Sequence, residues 1–177
     1  MLDANTIYNE MMIHIPLCTH KEAQKVLVVG EVQGNFKDEI AKHSAEVTYS
    51  AELNVEGEFD VIIYNNDTID DMVLSNINRC LEQKEGVFVC VSERFKKDSD
   101  KLVSDLKTIG ATFWITMPYR FGHTMAIIGS KKFHPQADII LDRSDFLECD
   151  YYNTELQNAC FVHPQYVTKA LTGIAKR

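Results

Sequence analysis

An α/β domain built on a mostly parallel sheet is the fold this sequence predicts, and three observations predict it. Short uninterrupted apolar runs recur along the chain, as expected of strands buried on both faces. Segments with apolar residues at helical spacing separate them. Towards the C-terminus, two strand-like runs leave no room for a helix between them and so close as an antiparallel hairpin.

The elements follow in order. Lys25–Val29 is a β-branched apolar run ending in Gly30 and reads as a buried parallel strand. Asn35–His43 reads as a short helix and Glu46–Ser50 as a second strand. Phe59–Tyr64 is a third strand, apolar on both faces. Asp70–Leu81 places Met72, Val73, Ile77 and Leu81 at helical spacing, and Gly86–Val91 is a fourth strand. Ser99–Ile109 carries Leu102, Val103, Leu106 and Ile109 on one helical face, with Gly110 as a stop. Thr112–Met117 and Thr124–Gly129 form the hairpin, with Pro118–His123 as its turn, and Gln165–Ile174 is a helix introduced by Pro164. This is the layout of a Rossmann-like, class I methyltransferase-type sheet with a terminal antiparallel hairpin. Ligands of such sheets sit at the carboxyl ends of the strands.

Composition narrows the function. At 177 residues, with no repeat or linker-like tract, a single domain spanning residues 1–177 is expected. A net charge of −8 argues against a non-specific nucleic-acid surface and suits either a cationic ligand or a solvated acidic exterior. Five cysteines, odd in number and without C-x-x-C spacing, fit a reduced, cytoplasmic compartment. No apolar run reaches membrane-spanning length. The histidines are scattered, with no zincin-like pair, so no metal site is expected, and no P-loop or Gly-x-Ser-x-Gly occurs.

Four segments, in order, carry a resemblance. The first is Tyr8-Asn-Glu-Met, then Pro16-Leu, Thr19-His and Lys25-Val-Leu-Val-Val-Gly. The second is Phe59-Asp-Val-Ile-Ile-Tyr-Asn-Asn-Asp67. The third runs from Gly86-Val-Phe-Val-Cys-Val-Ser-Glu93 through Met117-Pro-Tyr-Arg-Phe-Gly122 to Gly129-Ser-Lys131, and the fourth is Tyr151-Tyr-Asn to His163-Pro164. Together they resemble the core of the spermidine synthases, the polyamine aminopropyltransferases. That family carries a small β-rich domain ahead of the first segment. This chain begins just before that segment, so it reads as a fragment or a short form without that domain.

The resemblance implies transfer of an aminopropyl group from decarboxylated S-adenosylmethionine, as co-substrate, to putrescine, with no metal or other cofactor. Three departures imply a degenerate site. Gly30-Glu-Val-Gln-Gly-Asn35 stands where the family has Gly-Gly-Gly-Asp-Gly-Gly, leaving Gly30 and Gly34 and putting Gln33 in place of a ligand-binding Asp. Asn65 stands at the position of the family's catalytic base, and an amide cannot accept an ammonium proton. Asp67 is the candidate replacement base. Only Ala51–Glu58 fills the interval in which the family has a further helix and strand.

By the same resemblance, Tyr8 and Tyr119 line the substrate pocket, and Glu52 or Glu46 takes the ribose-binding role. Glu93 faces the crevice from the fourth strand, Val91 replaces a substrate-binding Gln, and Glu10 either pairs with an amine or serves as a surface or capping carboxylate. The alternative function is a non-catalytic homologue that binds a small-molecule amine or nucleoside, or partners an active enzyme. No nucleic-acid or membrane partner is expected, and homo-oligomerisation stays open.

Overall fold

The computed structural model describes residues 1–177. In chain order its elements are α1 (Ala4–Leu17), β1 (Lys25–Val29), α2 (Phe36–Ile40), β2 (Glu46–Ser50), β3 (Val61–Tyr64), α3 (Asp71–Cys80), β4 (Val87–Ser92) and α4 (Lys101–Gly110). They continue with β5 (Ile115–Phe121), β6 (Thr124–Ser130), α5 (Leu141–Ser144), α6 (Thr154–Ala159) and α7 (Gln165–Leu171). The strands form one six-stranded sheet in the order β2-β1-β3-β4-β6-β5. β2, β1, β3 and β4 run parallel, and β6 and β5 are antiparallel. This is the Rossmann-like arrangement expected.

Strand alternation sorts the core into two layers. Val26, Val28, Val61, Ile63, Val87 and Val89 face α1 and α2 together with Tyr152 and Phe161. Leu27, Val29, Ile62, Tyr64, Phe88 and Cys90 face α3, α4 and α7. The central strands are therefore apolar at every position because both faces are covered.

α1 is an element that no periodicity announces. Asn9 to Leu17 are all buried, so the helix has no polar stripe, and Pro16 sits within its last turn. Asp3 starts it by accepting the N–H groups of Asn5 (2.8 Å) and Thr6 (3.3 Å). Arg143 closes it from outside, donating to the carbonyls of Leu17, His20 and Lys21.

The hairpin is where the sequence reading needs correcting. β5 starts at Ile115 rather than Thr112 and continues through Pro118, Tyr119 and Arg120 to Phe121. The turn is Gly122-His123, with Gly122 at φ 48°. Pro118 is tolerated because β5 is the sheet's outermost strand and no strand neighbour needs its missing N–H. Part of that edge is covered by the chain end, where Thr116 and Lys176 exchange both backbone hydrogen bonds (2.8 and 2.9 Å).

At the opposite edge, β2 has no outer neighbour. No helix or strand lies between Ser50 and Val61, as the short interval implied. No helix is long and apolar enough to cross a membrane.

Candidate functional site

The carboxyl ends of β1, β2 and β3 meet the N-terminal half of α1. The β1–α2 loop turns through Gly30 (φ 98°) and Gly34 (φ 60°), a conformation that L side chains rarely adopt. Space is tight at Gly30 as well, since a Cβ there would lie 3.3 Å from the Asn65 backbone and would push aside the Asn66 side chain. Asn9 on α1 ties the loop down, its Nδ2 donating to the Gln33 carbonyl (2.8 Å) and to Asn35 Oδ1 (2.9 Å). Tyr8, one residue earlier, donates its hydroxyl to Asn65 Oδ1 at 2.8 Å.

These contacts leave two adjoining depressions. The inner one, about 220 Å³, is lined by Asn5, Tyr8, Asn9, Gln33 and Asn65 with Phe36 as its apolar wall. The outer one, about 310 Å³, runs from Gly30 past Lys37 to Tyr49, Ser50, Ala51 and Asn66. Glu31 and Val32 line both. Burial holds the Tyr8 hydroxyl well above its ordinary range, with Cys90 and the charge of Asp67 adding to the rise. Tyr8 is therefore a neutral hydrogen-bond donor at physiological pH.

Tyr8, Gln33 and Asn65 thus line the inner depression and Gly30 the outer one. Gly34 sits in the same loop beside Asn5, though it lines neither depression. Asp67 is exposed on the β3–α3 loop and lines neither depression.

Four expectations are corrected. Tyr119 lies in the core, because its segment is strand and not turn. It is fully buried against Phe121 and Phe161, with its hydroxyl on Met12 Sδ (3.5 Å), and reaches no crevice. Glu93 is engaged by Lys96 and by Ser99 Oγ (2.7 Å) and lines neither depression. Glu52 is exposed just past β2, and the wall there is made by Ser50 and Ala51 instead. Glu46 opens β2 and so lies at the far end of the strand from the crevice.

Glu10 is neither an amine partner nor a surface group. It is buried and accepts the backbone N–H groups of Asp150 (3.0 Å), Tyr151 (2.7 Å) and Tyr152 (2.7 Å). It anchors the C-terminal Tyr-Tyr-Asn segment onto α1. Beside it, a polar chain links α1 to α2. His14 Nδ1 meets His43 Nε2 and His14 Nε2 meets Glu39 Oε2, both at 2.9 Å. Lys42 also binds Glu39 Oε2, at 2.7 Å.

Burial drives both histidines far below their ordinary range; repulsion by Lys42 adds to this at His14, and repulsion by His14, Arg143 and Lys42 adds to it at His43. One ligand atom each from His14, Glu39 and Cys149 lies within 4.8 Å of the others. The Glu39 oxygen nearest His14 is already satisfied by His14 and Lys42, so the group reads as an interlock between helices.

Sequence reasoning did not single out Asn5, Asn9, Glu31, Lys37, Tyr49 or Asn66 as lining residues. Glu31 and Lys37 were the most readable, since they lie within and just after the glycine loop.

Comparison with known proteins agrees with this geometry. Residues 5–53 match the model of the spermine/spermidine synthase domain. The polyamine aminopropyltransferase of Clostridium kluyveri is 28% identical over 213 residues, covering 91% of this chain and 77% of that protein. That alignment is longer than the chain itself, so it carries internal gaps on this side. The spermidine synthase structure from Thermotoga maritima superposes with a TM-score of 0.80 at 23% identity, over 94% of this chain and 74% of that one. A spermidine synthase solved with the transition-state analogue AdoDATO gives 0.81 at 23%, with the same coverage. The chain thus shares the fold of the spermidine synthases and, over residues 5–53, the signature of the spermine/spermidine synthase domain.

Proposed function

We propose that this chain keeps the binding crevice of the aminopropyltransferase fold without an efficient transfer reaction, and that it holds a nucleoside or amine ligand there. The observation that supports this reading is the Tyr8–Asn65 hydrogen bond of 2.8 Å in the crevice, an amide at the residue where the resemblance calls for a base. In aminopropyl transfer a neutral amine attacks the carbon next to a sulfonium. The new N–C bond forms, the C–S bond breaks, and the nucleophile's nitrogen must shed a proton. A positioned base contributes about 10²–10⁴-fold to such a step. Asn65 cannot accept that proton, and Tyr8, raised by burial, is a donor.

A second reading keeps transfer, with decarboxylated S-adenosylmethionine as co-substrate and Asp67 as the base. The observation favouring it is that Asp67 is an exposed carboxylate two residues beyond Asn65, on the loop that follows the Tyr8–Asn65 hydrogen bond. Substituting Asp67→Ala separates the two, since it removes transfer only under the second reading.

Thermal unfolding with decarboxylated S-adenosylmethionine, methylthioadenosine, putrescine and spermidine tests the binding claim. A ligand that binds only the folded state raises the melting temperature, by an amount equivalent to about 2.7 kcal/mol at a hundredfold excess over Kd. At least one nucleoside or amine in that set is expected to do so. No shift with any of them contradicts the proposal.

A further inference from the structure

Resting on that binding reading, we infer that the crevice selects an uncharged nucleoside over a sulfonium-type cation, with Lys37 as the discriminating residue. Among the side chains that line the two depressions, only Glu31 and Lys37 are charged, so the lining as a whole is neutral. Neither forms an ion pair with another side chain. The Lys37 ammonium is instead held over the Tyr49 ring, 5.2 Å from its centroid, at the mouth of the outer depression.

The remaining polar groups are amides and hydroxyls. The inner depression offers Asn5, Asn9, Gln33, Asn65 and Tyr8, and the outer one offers Ser50 and Asn66. Dipoles of this kind satisfy the hydroxyls and ring nitrogens of a neutral nucleoside. They do little for a ligand that carries both a sulfonium and an ammonium. Glu31 is the one carboxylate of the lining and Lys37 its one ammonium, and no carboxylate of β2 lines either depression. A cation entering the outer depression therefore finds no net negative wall, and on the Lys37 side it meets a like charge that no carboxylate pairs. Lys37 is exposed, so the penalty is screened and shrinks as salt rises.

The test is calorimetric titration of the full chain with methylthioadenosine, which is neutral, and with decarboxylated S-adenosylmethionine, at low and at high salt. Methylthioadenosine is expected to bind roughly tenfold more tightly at low salt, with the gap narrowing at high salt. Lys37→Glu should close or reverse the gap. Lys84→Glu, the same charge change on an exposed lysine outside both depressions, should leave it in place. Equal or tighter binding of the cation by the parent overturns the inference and leaves the binding reading standing. An equal response to both lysine substitutions overturns the role of Lys37. Saturable binding of neither ligand overturns the inference, and the binding reading falls with it when putrescine and spermidine also leave the melting temperature unchanged.

Discussion

The Asn65 amide accepts a hydrogen bond from Tyr8 and, under the proposed reading, occupies the place of a base, but it does not act alone. Asn65→Asp restores a carboxylate, yet Glu31 and Val32 still stand in the former glycine loop and Asn66 lies over Gly30. Asn65→Asp is therefore expected to leave transfer at or barely above the enzyme-free control in a product assay, well short of the ~10²–10⁴-fold gain that a base contributes in an aligned site. A larger gain would mean that the donor is already well held. Glu10 makes the opposite case, a family-motif residue whose work is structural. Hydrogen bonds to a charged acceptor contribute about 1.5–3 kcal/mol each, and Glu10 accepts three from backbone while buried. Glu10→Ala should therefore cost on the order of 3 kcal/mol or more in urea unfolding, with Glu10→Gln, which keeps one acceptor oxygen, costing less. A loss near zero would remove the anchor from the account.

The elements differ in how far they are legible in sequence, and the reasons are physical. Lys25–Val29 and Gly86–Val91 read correctly because strands covered on both faces must be apolar throughout. α1 is hidden because it is buried on all sides and so lacks amphipathic spacing. The start and end of β5 are hidden because Pro118 reads as a breaker, and only its place on an outer strand makes it acceptable. Within the site, Gly30 and Asn65 are legible from local motifs. The fate of Tyr119 depends on β5, and that of Glu10 on a segment far along the chain, so neither is.

Two outcomes belong to this scale. The edge strand β2 pairs only with β1 and lacks cover outside, so its amides should exchange with solvent faster than those of β1, β3 and β4. Equal protection of β2 in native-state exchange would point to a partner on that edge. The α1–α2 interlock should also make stability depend on pH. His14 and His43 are neutral when folded, whereas unfolded they take up a proton near the ordinary value of 6.5. The unfolded state thus binds more protons below that pH. The stabilisation is complete above about 6.5 and declines as pH falls towards about 4, by up to ~1.4 kcal/mol per pH unit per histidine. Urea midpoints should drop from pH 7 to pH 5, and His43→Asn should flatten that drop. Unchanged midpoints would show that the cluster stays protonated.

For the whole molecule, a six-stranded sheet with an uncovered β2 edge retains the fold of the spermidine synthases and the crevice at the strand ends. The chemistry of that crevice supports the proposal: the Asn65 amide bonded to Tyr8, side chains of Glu31, Val32 and Gln33 in the glycine loop, and a lining with one carboxylate and one ammonium. Binding and transfer separate under these conditions, because fold supplies the crevice while transfer depends on the few groups at the reacting atoms. The most direct test is a single-turnover assay with enzyme in excess over decarboxylated S-adenosylmethionine, with saturating putrescine and detection of spermidine by mass spectrometry. The account predicts no spermidine above the enzyme-free control. Stoichiometric spermidine formed by the parent and abolished by Asp67→Ala would contradict it, and would establish Asp67 as the base.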